Sequence, residues 1–275
     1  MSMREEFLKL QEQLDKAVAQ KEKGIVADYK AALDELRNLM ASTYAKYEVA
    51  GALLFSEMMK YNRAAKLDKE IQSILKELGK KNASNTRDAI KLVYEQSFDR
   101  TKSLVEIAAD KRIPGIIKNE VLKQAIENPV HGLKLSRTLE KNRVNIIYNI
   151  QQTVEQGLKN GETYGQMAGR LKDSLENDVP KALRVVRTET HRVMEQAKLD
   201  SLSNAQAAGL DIVKVWVSSR DERVRSSHAS MDGVTVDYDK DFKNPLTGGK
   251  GPGPGMMGTA ADDINCRCIF TIDIK

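Results

Sequence analysis

At 275 residues and 30.7 kDa, the chain is long enough to bury a hydrophobic core in one or two domains. Hydrophobic residues make up 41% and charged residues 30%, and no stretch approaches the roughly 18 consecutive apolar residues of a membrane span, so we expect no membrane anchor. Residues 1–18 are charged and amphipathic, so no signal peptide is expected, and two cysteines favour a reducing cytoplasm over a disulfide framework.

The formal net charge of +5 is unevenly distributed along the chain. Residues 211–275 hold nine Lys or Arg and ten Asp or Glu, whereas residues 1–210 hold 35 basic and 29 acidic residues. This mild basic excess suits non-specific contact with double-stranded DNA, and it equally suits a balanced helical surface. The low aromatic content of 5% argues against a surface for stacking unpaired bases.

The first 113 residues contain no proline and only three glycines, which is typical of long helices. Apolar residues at spacings of three and four predict an amphipathic stripe that continues, slightly rotated, along the segment 7–40. Its members are Phe7, Leu10, Leu14, Ala17, Ile25, Tyr29, Leu33, Leu36 and Met40. We favour an internal helical bundle over helices that pair with other chains, because the breaks further along permit antiparallel folding.

Several breaks divide the remaining helical part. A further apolar pattern stops at Gly79, and the segment 80–85 predicts a turn whose Ser84 or Asn85 caps the next helix. Pro114 and Pro129 predict further breaks, and a long helix is expected over 136–158.

Beyond residue 209 the pattern changes to short strands. "DIVKVWVSS", "GVTVDY" and "CIFTIDI" are β-rich, and "NPLTGGKGPGPGMMG" is too rich in glycine and proline for a regular element. The predicted core of this part is Trp216, Val213, Val215, Val217, Ile269 and Ile272. The sequence therefore predicts a mainly α fold, a long-helix bundle followed by a small α+β C-terminal domain with a short-stranded sheet and a long Gly/Pro loop.

The two cysteines, Cys266 and Cys268, lie one residue apart near the last predicted strand, and His228 is one of three histidines. Together they could bind zinc, with Asp232 or water as a fourth ligand, although a single Cys-x-Cys is a weaker signal than paired Cys-x-x-Cys knuckles. Acid–base catalysis by His228 with Asp221 or Asp232 is a second interpretation, which no nucleophile or phosphate-binding motif supports.

A third interpretation is structural, and on the residues alone we favour it. In it the cysteines are small buried residues of a fold-closing strand. Arg267 then points to the opposite face and contacts the helix that carries Glu189.

Three segments carry a resemblance to a known family: "RVVRTETHRVMEQAKLDSL", "VKVWVSSRDERVRSSHASMDGVTVDYDKDFKNPLTGGKGPGPG" and "INCRCIF". In order and spacing they resemble the Mu F-like minor head proteins, the head morphogenesis proteins of tailed bacteriophages, over about residues 140–272. The matching positions are Arg187, Thr188, Glu189, Trp216, Asp221, Arg225, His228, Asp232, Gly233, Phe242, Pro245, Asn265, Cys266, Arg267 and Cys268.

The resemblance implies a low-copy minor capsid protein at the portal vertex and in the procapsid interior, which contacts packaged DNA and assists genome retention or ejection. Its implied partners are the portal protein, the major capsid protein or scaffold, and non-specific double-stranded DNA. Its implied location is the virion head, with the host cytoplasm during assembly. The implied domains are a helical region for portal or capsid docking, residues 1–135, and a Mu F-like domain, residues 136–275, whose α+β tail starts near 210.

No catalytic residue comes with the resemblance, and no cofactor is expected, with zinc at His228, Cys266 and Cys268 left open. We expect a structural polar network that holds the last strand to the helix at 180–208. Its members are Arg187, Glu189, Asp221, Arg225, His228, Asp232, Asn265 and Arg267. The alternatives are a metal-dependent or toxin-like enzyme that uses His228, Asp232, Cys266 and Cys268, and a non-specific DNA-binding module.

Overall fold

The computed structural model describes residues 2–128 and 134–275, so the break predicted at Pro129 lies outside the described residues. The helices are α1 (Met3–Tyr47), α2 (Phe55–Met59), α3 (Arg63–Ala109), α4 (Asn119–Glu127), α5 (Leu135–Lys159), α6 (Tyr164–Glu176), α7 (Val179–Ala207), α8 (Ser226–Ala229) and α9 (Ala260–Asp263). The strands are β1 (Ile212–Val217), β2 (Thr235–Asp237), β3 (Phe242–Lys243), β4 (Lys250–Gly251) and β5 (Ile269–Ile274). This arrangement confirms the predicted mainly α fold with a small α+β C-terminal part.

The chain forms two compact units, each built from several segments. The first, here called the sheet unit, comprises the described residues of Met1–Lys21, Thr86–Ser136 and Arg184–Lys275. The second, the helical unit, comprises Glu22–Asn85 and Arg137–Leu183. The predicted domains 1–135 and 136–275 divide the chain by sequence and stay a prediction.

The helical unit buries the part of the α1 stripe that runs from Ile25 to Met40, together with apolar faces of α3, α5 and α6. Its core includes Ile25, Leu36, Met40, Leu67, Ile71, Leu75, Ile150, Val154, Met167 and Leu171. Polar contacts fix the ends of its helices: Tyr29 donates a buried hydrogen bond to Asp178 (2.9 Å), and Thr163 and Gln166 form a capping box at the start of α6.

The helix end predicted at Gly79 and the turn predicted at residues 80–85 are wrong, because α3 runs through this segment without interruption. A Cβ atom at Gly79 would lie 2.7 Å from Cγ of Arg143, so the glycine lets α5 approach α3 closely. Asn85 lies inside α3, and its side-chain amide donates to the carboxylate of Asp28 on α1 (2.6 Å). These packing contacts offset the low helix propensity of glycine, which costs about 1 kcal/mol in a helix interior.

The sheet unit contains a three-stranded antiparallel sheet with the order β2-β1-β5. Trp216 on β1 lies opposite Phe270 on β5, and Val213 lies opposite both Asp237 and Asp273. The strands predicted near 212, 235 and 269 are therefore confirmed. The Gly/Pro loop follows β3, which pairs with β4 inside the loop in a two-residue antiparallel ladder that the sequence did not predict.

Helices from distant parts of the chain complete the core of the sheet unit. Phe7, Leu10 and Leu14 of α1 are buried in the same hydrophobic cluster as Val93 and Val105 of α3. The cluster also contains Met194, Leu202, Trp216, Phe242, Phe270 and Ile272. The sheet is thus covered by segments that precede it by up to 200 residues or so.

The predicted core residues of β1 are only partly right. Trp216, Val213 and Val217 are buried as predicted, whereas Val215 is partly exposed. Lys214, which an alternating strand would expose, is buried. Its ammonium donates to the carbonyls of Lys240 and Pro252 (2.8 Å each), and these bonds satisfy a charged group inside the unit.

Lys214 leads to a testable pH dependence, because burial lowers its pKa to about 8. Between this value and the unfolded value near 10.4, the unfolded state binds more protons than the native state, so the contribution of Lys214 to stability rises with pH. We expect the free energy of unfolding of the wild type, minus that of Lys214→Met, to rise by about 2 kcal/mol from pH 8 to pH 10. Urea unfolding at several pH values, followed by the fluorescence of Trp216, measures this difference.

The control for this experiment is Lys250→Met. Lys250 is an exposed lysine of the Gly/Pro loop, the loop whose Pro252 carbonyl accepts from Lys214. An equal rise with pH for Lys250→Met would show that the effect does not come from the burial of Lys214. A constant difference between the wild type and Lys214→Met would contradict the prediction.

Candidate functional site

The structure brings together His228, Cys266 and Cys268, although about 40 residues separate the histidine from the cysteines. Nδ1 of His228 lies 3.4 Å from Sγ of Cys268 and 3.6 Å from Sγ of Cys266. The three side-chain atoms all lie within 4.8 Å of one another, and the residues are only 1–3% exposed. Both cysteines are free thiols.

Two hydrogen bonds anchor the segment that directly precedes the cysteines. Asn265 has a left-handed backbone (φ 54°), and its N–H donates to the hydroxyl of Thr188 on α7 (3.1 Å). Arg225, which directly precedes α8, donates to the carbonyl of Ile264 (2.5 Å). These two bonds fasten the segment just before the cysteines to α7 and to the residue that precedes α8.

Asp262 lies behind His228 and fixes the orientation of its imidazole ring. Nε2 of His228 donates to Oδ1 of Asp262 (3.1 Å), which leaves Nδ1 facing the two sulfurs. Asp262 also accepts from Asn244 (3.0 Å), Thr247 (2.7 Å) and Thr259 (2.7 Å). With four donors on one fully buried carboxylate, this side chain is held rigidly.

These contacts shift the pKa values of the cluster. Burial opposes the charged form of Asp262, yet the bonds from Thr247, Thr259 and His228 hold its pKa below the ordinary value. The hydrogen bond from Cys266 lowers the pKa of Cys268 to about 5. Burial opposes this shift, and the hydrogen bond with His228 adds to it. The bond to Cys268 and burial together raise the pKa of Cys266.

The other predicted network residues form separate contacts. Arg267 forms a two-pronged ion pair with Asp221, one arm of which measures 2.8 Å, rather than contacting the helix that carries Glu189. Asp232 accepts from the backbone N–H of Ser218 (2.8 Å) and pairs with Arg220, so it lies outside the cysteine cluster. Arg187 is exposed on α7.

Glu189 is buried on α7 and pairs with Arg192, whose Nη2 donates to the carbonyl of Ala125 (2.8 Å). Burial raises the pKa of Glu189, and the nearby guanidinium of Arg192 opposes this shift. This pair joins α7 to α4 and not to the last strand.

The contact between α7 and β5 is made by residues that the sequence analysis missed. The backbone N–H of Phe270 donates to Oε2 of Glu195 (3.0 Å), and Lys198 pairs with the other oxygen of the same carboxylate (2.5 Å). Both side chains are buried, and burial raises the pKa of Glu195. Glu195 and Lys198 therefore hold the last strand to α7, the role that was predicted for Arg267.

Comparison with known proteins places this site in a family. A family model described as "Phage Mu protein F like protein" matches residues 148–271, a range that contains the whole cluster. The minor head protein GP7 of Bacillus phage SPP1 is 32% identical over 96% of this chain and 86% of its own length. The chain belongs to the Mu F-like minor head protein family. The resemblance seen in residues 140–272 is thereby confirmed.

Two further relatives of this Mu F-like protein share parts of it. The NAD(+)–arginine ADP-ribosyltransferase EFV of Enterococcus faecalis is 28% identical over 82% of this chain, which corresponds to 46% of that enzyme. An uncharacterised protein of Haemophilus influenzae is 29% identical over 44% of this chain and 23% of its own length. No solved structure matches the chain.

The geometry of this Mu F-like protein does not favour the enzyme alternative. The alternative requires His228, Asp232 and the two cysteines to act together, whereas Asp232 is bound by Ser218 and Arg220. The cluster itself is buried, so a substrate would have to displace packed side chains to reach it. The transferase named above extends well beyond the part that matches this chain.

Within residues 2–128 and 134–275, none of the helices combines the length and the apolar character that crossing a membrane requires.

Proposed function

We propose that this protein is a low-copy minor head protein that works without catalysis inside the procapsid, at the portal vertex. The observation that carries the proposal is the match to the SPP1 minor head protein, which spans nearly the whole of both chains. Its partners would be the portal protein, the major capsid protein or scaffold, and the packaged DNA. The basic excess over residues 1–210 supports a non-specific contact with DNA, which would assist genome retention or ejection.

One surface of the helical unit supports docking to a protein. The segment 48–62, here called the apolar tip, connects α1 to α3. Its exposed apolar side chains are Val49, Leu54, Phe55, Met59 and Tyr61, of which Tyr61 is 82% exposed. Single exposed apolar residues are common, but several in one short segment indicate an interaction site.

The backbone of the apolar tip supports the same conclusion. Ala50, Tyr61 and Asn62 have positive φ values of 51°, 54° and 56°, a region that residues other than glycine adopt at an energetic cost. Such costs are concentrated at functional sites, where the surrounding structure imposes the conformation. We therefore assign the apolar tip to the portal-binding surface.

The experiment is co-sedimentation of the purified chain with portal rings of the same phage. The variant Phe55→Ser/Met59→Ser/Tyr61→Ser should bind at least about tenfold more weakly, because exposed aromatic and methionine side chains are typical anchors of interfaces. The matched control is Ile107→Ser/Ile116→Ser, since both isoleucines are highly exposed and belong to the sheet unit.

Binding of the tip variant at wild-type affinity, or an equal loss in the control, would contradict the assignment of the surface. Absence of the protein from purified heads would contradict the role itself.

A further inference from the structure

We propose that His228, Cys266 and Cys268 form a zinc site that fastens the start of β5 to α8. This inference does not depend on the role at the portal. It goes beyond that role because it assigns a metal to the domain and a structural task to the metal. It rests on four observations: the distances among the three side chains, the number of sulfurs at one nitrogen, the carboxylate behind the ring, and the burial of the cluster.

The distances fit a tetrahedral zinc ion. With Zn–S near 2.3 Å and Zn–N near 2.0–2.1 Å, a tetrahedral angle separates a sulfur from a nitrogen by about 3.6 Å. The two observed separations between Nδ1 and the sulfurs are 3.4 and 3.6 Å. An ion can therefore be placed between the three atoms without a large movement of any of them.

Two sulfurs lie at nearly the same distance from one ring nitrogen, and a hydrogen bond does not account for both. A single N–H group or lone pair on Nδ1 can be aligned with only one of Cys266 and Cys268. A metal ion placed between the three atoms contacts both sulfurs and the nitrogen at once.

Asp262 provides the carboxylate that commonly supports a histidine ligand. Because its carboxylate accepts from Nε2 of His228, the lone pair of a neutral imidazole is on Nδ1, the atom that faces the sulfurs. Carboxylate–histidine–zinc arrangements of this kind fix the tautomer and the orientation of the ligand. Asn244, Thr247 and Thr259 in turn hold Asp262, so the support extends into the Gly/Pro loop.

The ligand types select zinc over other common cations. Two sulfurs and one imidazole suit zinc, whereas calcium and magnesium prefer oxygen ligands. Two thiolates balance the two positive charges of the ion, and a cysteine that still carries its proton releases it on binding. The remaining coordination position is left for a water molecule, since Asp232 lies elsewhere.

The site would be structural because its ligands are buried. It links His228 to Cys266 and Cys268, which follow it by 38 and 40 positions in the sequence. The β3–β4 ladder and the Gly/Pro loop lie between them. The metal would therefore close this long segment in a protein that has no disulfide among its described residues.

The experiment is elemental analysis of the full chain after purification under reducing conditions without chelators. We expect about one zinc ion per chain, and markedly less than one in Cys266→Ser, Cys268→Ser and His228→Gln. The matched control is Ser227→Ala, which changes the neighbour of His228 on α8 and should retain the metal. Asp262→Asn should weaken zinc affinity by about 10- to 100-fold, measured by competition with a chromophoric chelator.

Cobalt provides a second measurement that needs no variant. Replacement of zinc by Co²⁺ in the wild-type chain should produce thiolate-to-cobalt charge-transfer absorption, which zinc then abolishes. The proposal is overturned if the folded wild-type chain binds neither ion, if a thiol reagent labels both cysteines equally fast with and without zinc, or if the cysteines are found in a disulfide.

Discussion

Glu195→Ala is expected to lower the free energy of unfolding by about 3–5 kcal/mol, because it leaves the ammonium of Lys198 buried without a counter-charge. Both residues are almost completely inaccessible to solvent, and their charged atoms lie 2.5 Å apart. The substitution also removes the acceptor of the Phe270 N–H bond, which joins β5 to α7. Loss of the bond adds the cost of an unsatisfied buried donor, about 1–3 kcal/mol on its own.

Urea unfolding followed by the fluorescence of the single tryptophan, Trp216, reports on the sheet unit. The double variant Glu195→Gln/Lys198→Met keeps an acceptor for Phe270 and removes both charges, so it should regain most of the lost stability. Glu95→Ala, which breaks the exposed pair with Lys91 in the sheet unit, should cost less than about 1 kcal/mol. A cost of that small size for Glu195→Ala would show that the buried pair does not hold the strand.

Trp216→Ala is expected to cost about 3–5 kcal/mol, since it removes the largest fully buried side chain of the described residues. The indole ring packs edge-on against Phe242 (5.3 Å between centroids) and His228 (5.7 Å). Its loss would leave a cavity between β1, the Gly/Pro loop and the cysteine cluster. Far-UV circular dichroism during urea unfolding replaces fluorescence as the probe, because this variant has no tryptophan.

Trp216→Phe separates packing from polarity. The indole N–H has no acceptor among the described residues, so phenylalanine removes an unsatisfied donor while it keeps an aromatic ring. This variant should lose much less stability than the alanine variant. Leu246→Ala is the control at an exposed apolar position of the same loop, and its effect should stay within about 0.5 kcal/mol. Equal losses in Trp216→Ala and Leu246→Ala would rule out Trp216 as the centre of this core.

The sequence was sufficient for the fold class, because the distribution of proline and glycine separates long helices from a turn-rich tail. It also singled out His228 and the two cysteines as a candidate cluster, since these residue types are rare in the chain and have distinctive chemistry, and the structure places them together. It failed at Gly79, where the close approach of α5 explains a glycine that would otherwise end a helix. Only the tertiary structure contains that information.

Buried charges account for most of the remaining errors. Lys214 occupies a position that would face solvent in a strand with alternating polar and apolar residues. Glu195 and Lys198 lie in a charged segment of the kind that usually forms a solvent-facing helix. Periodicity treats every charged residue as exposed, whereas these three are satisfied by partners from distant segments. Asp262 was missed for the same reason, because its four donors come from separate parts of the loop and from α8.

The sheet unit is built from segments near both ends of the chain, and this affects when it can fold during synthesis. Lys198 lies near the rings of both Phe7 and Phe270 (5.4 and 5.2 Å), which belong to opposite ends of the chain. At a translation rate of about 5–20 residues per second, Phe7 leaves the ribosome roughly 13–50 s before Phe270. During that interval the apolar face at the start of α1 lacks the partners that β1 and β5 supply, so part of it is expected to stay exposed until β5 emerges.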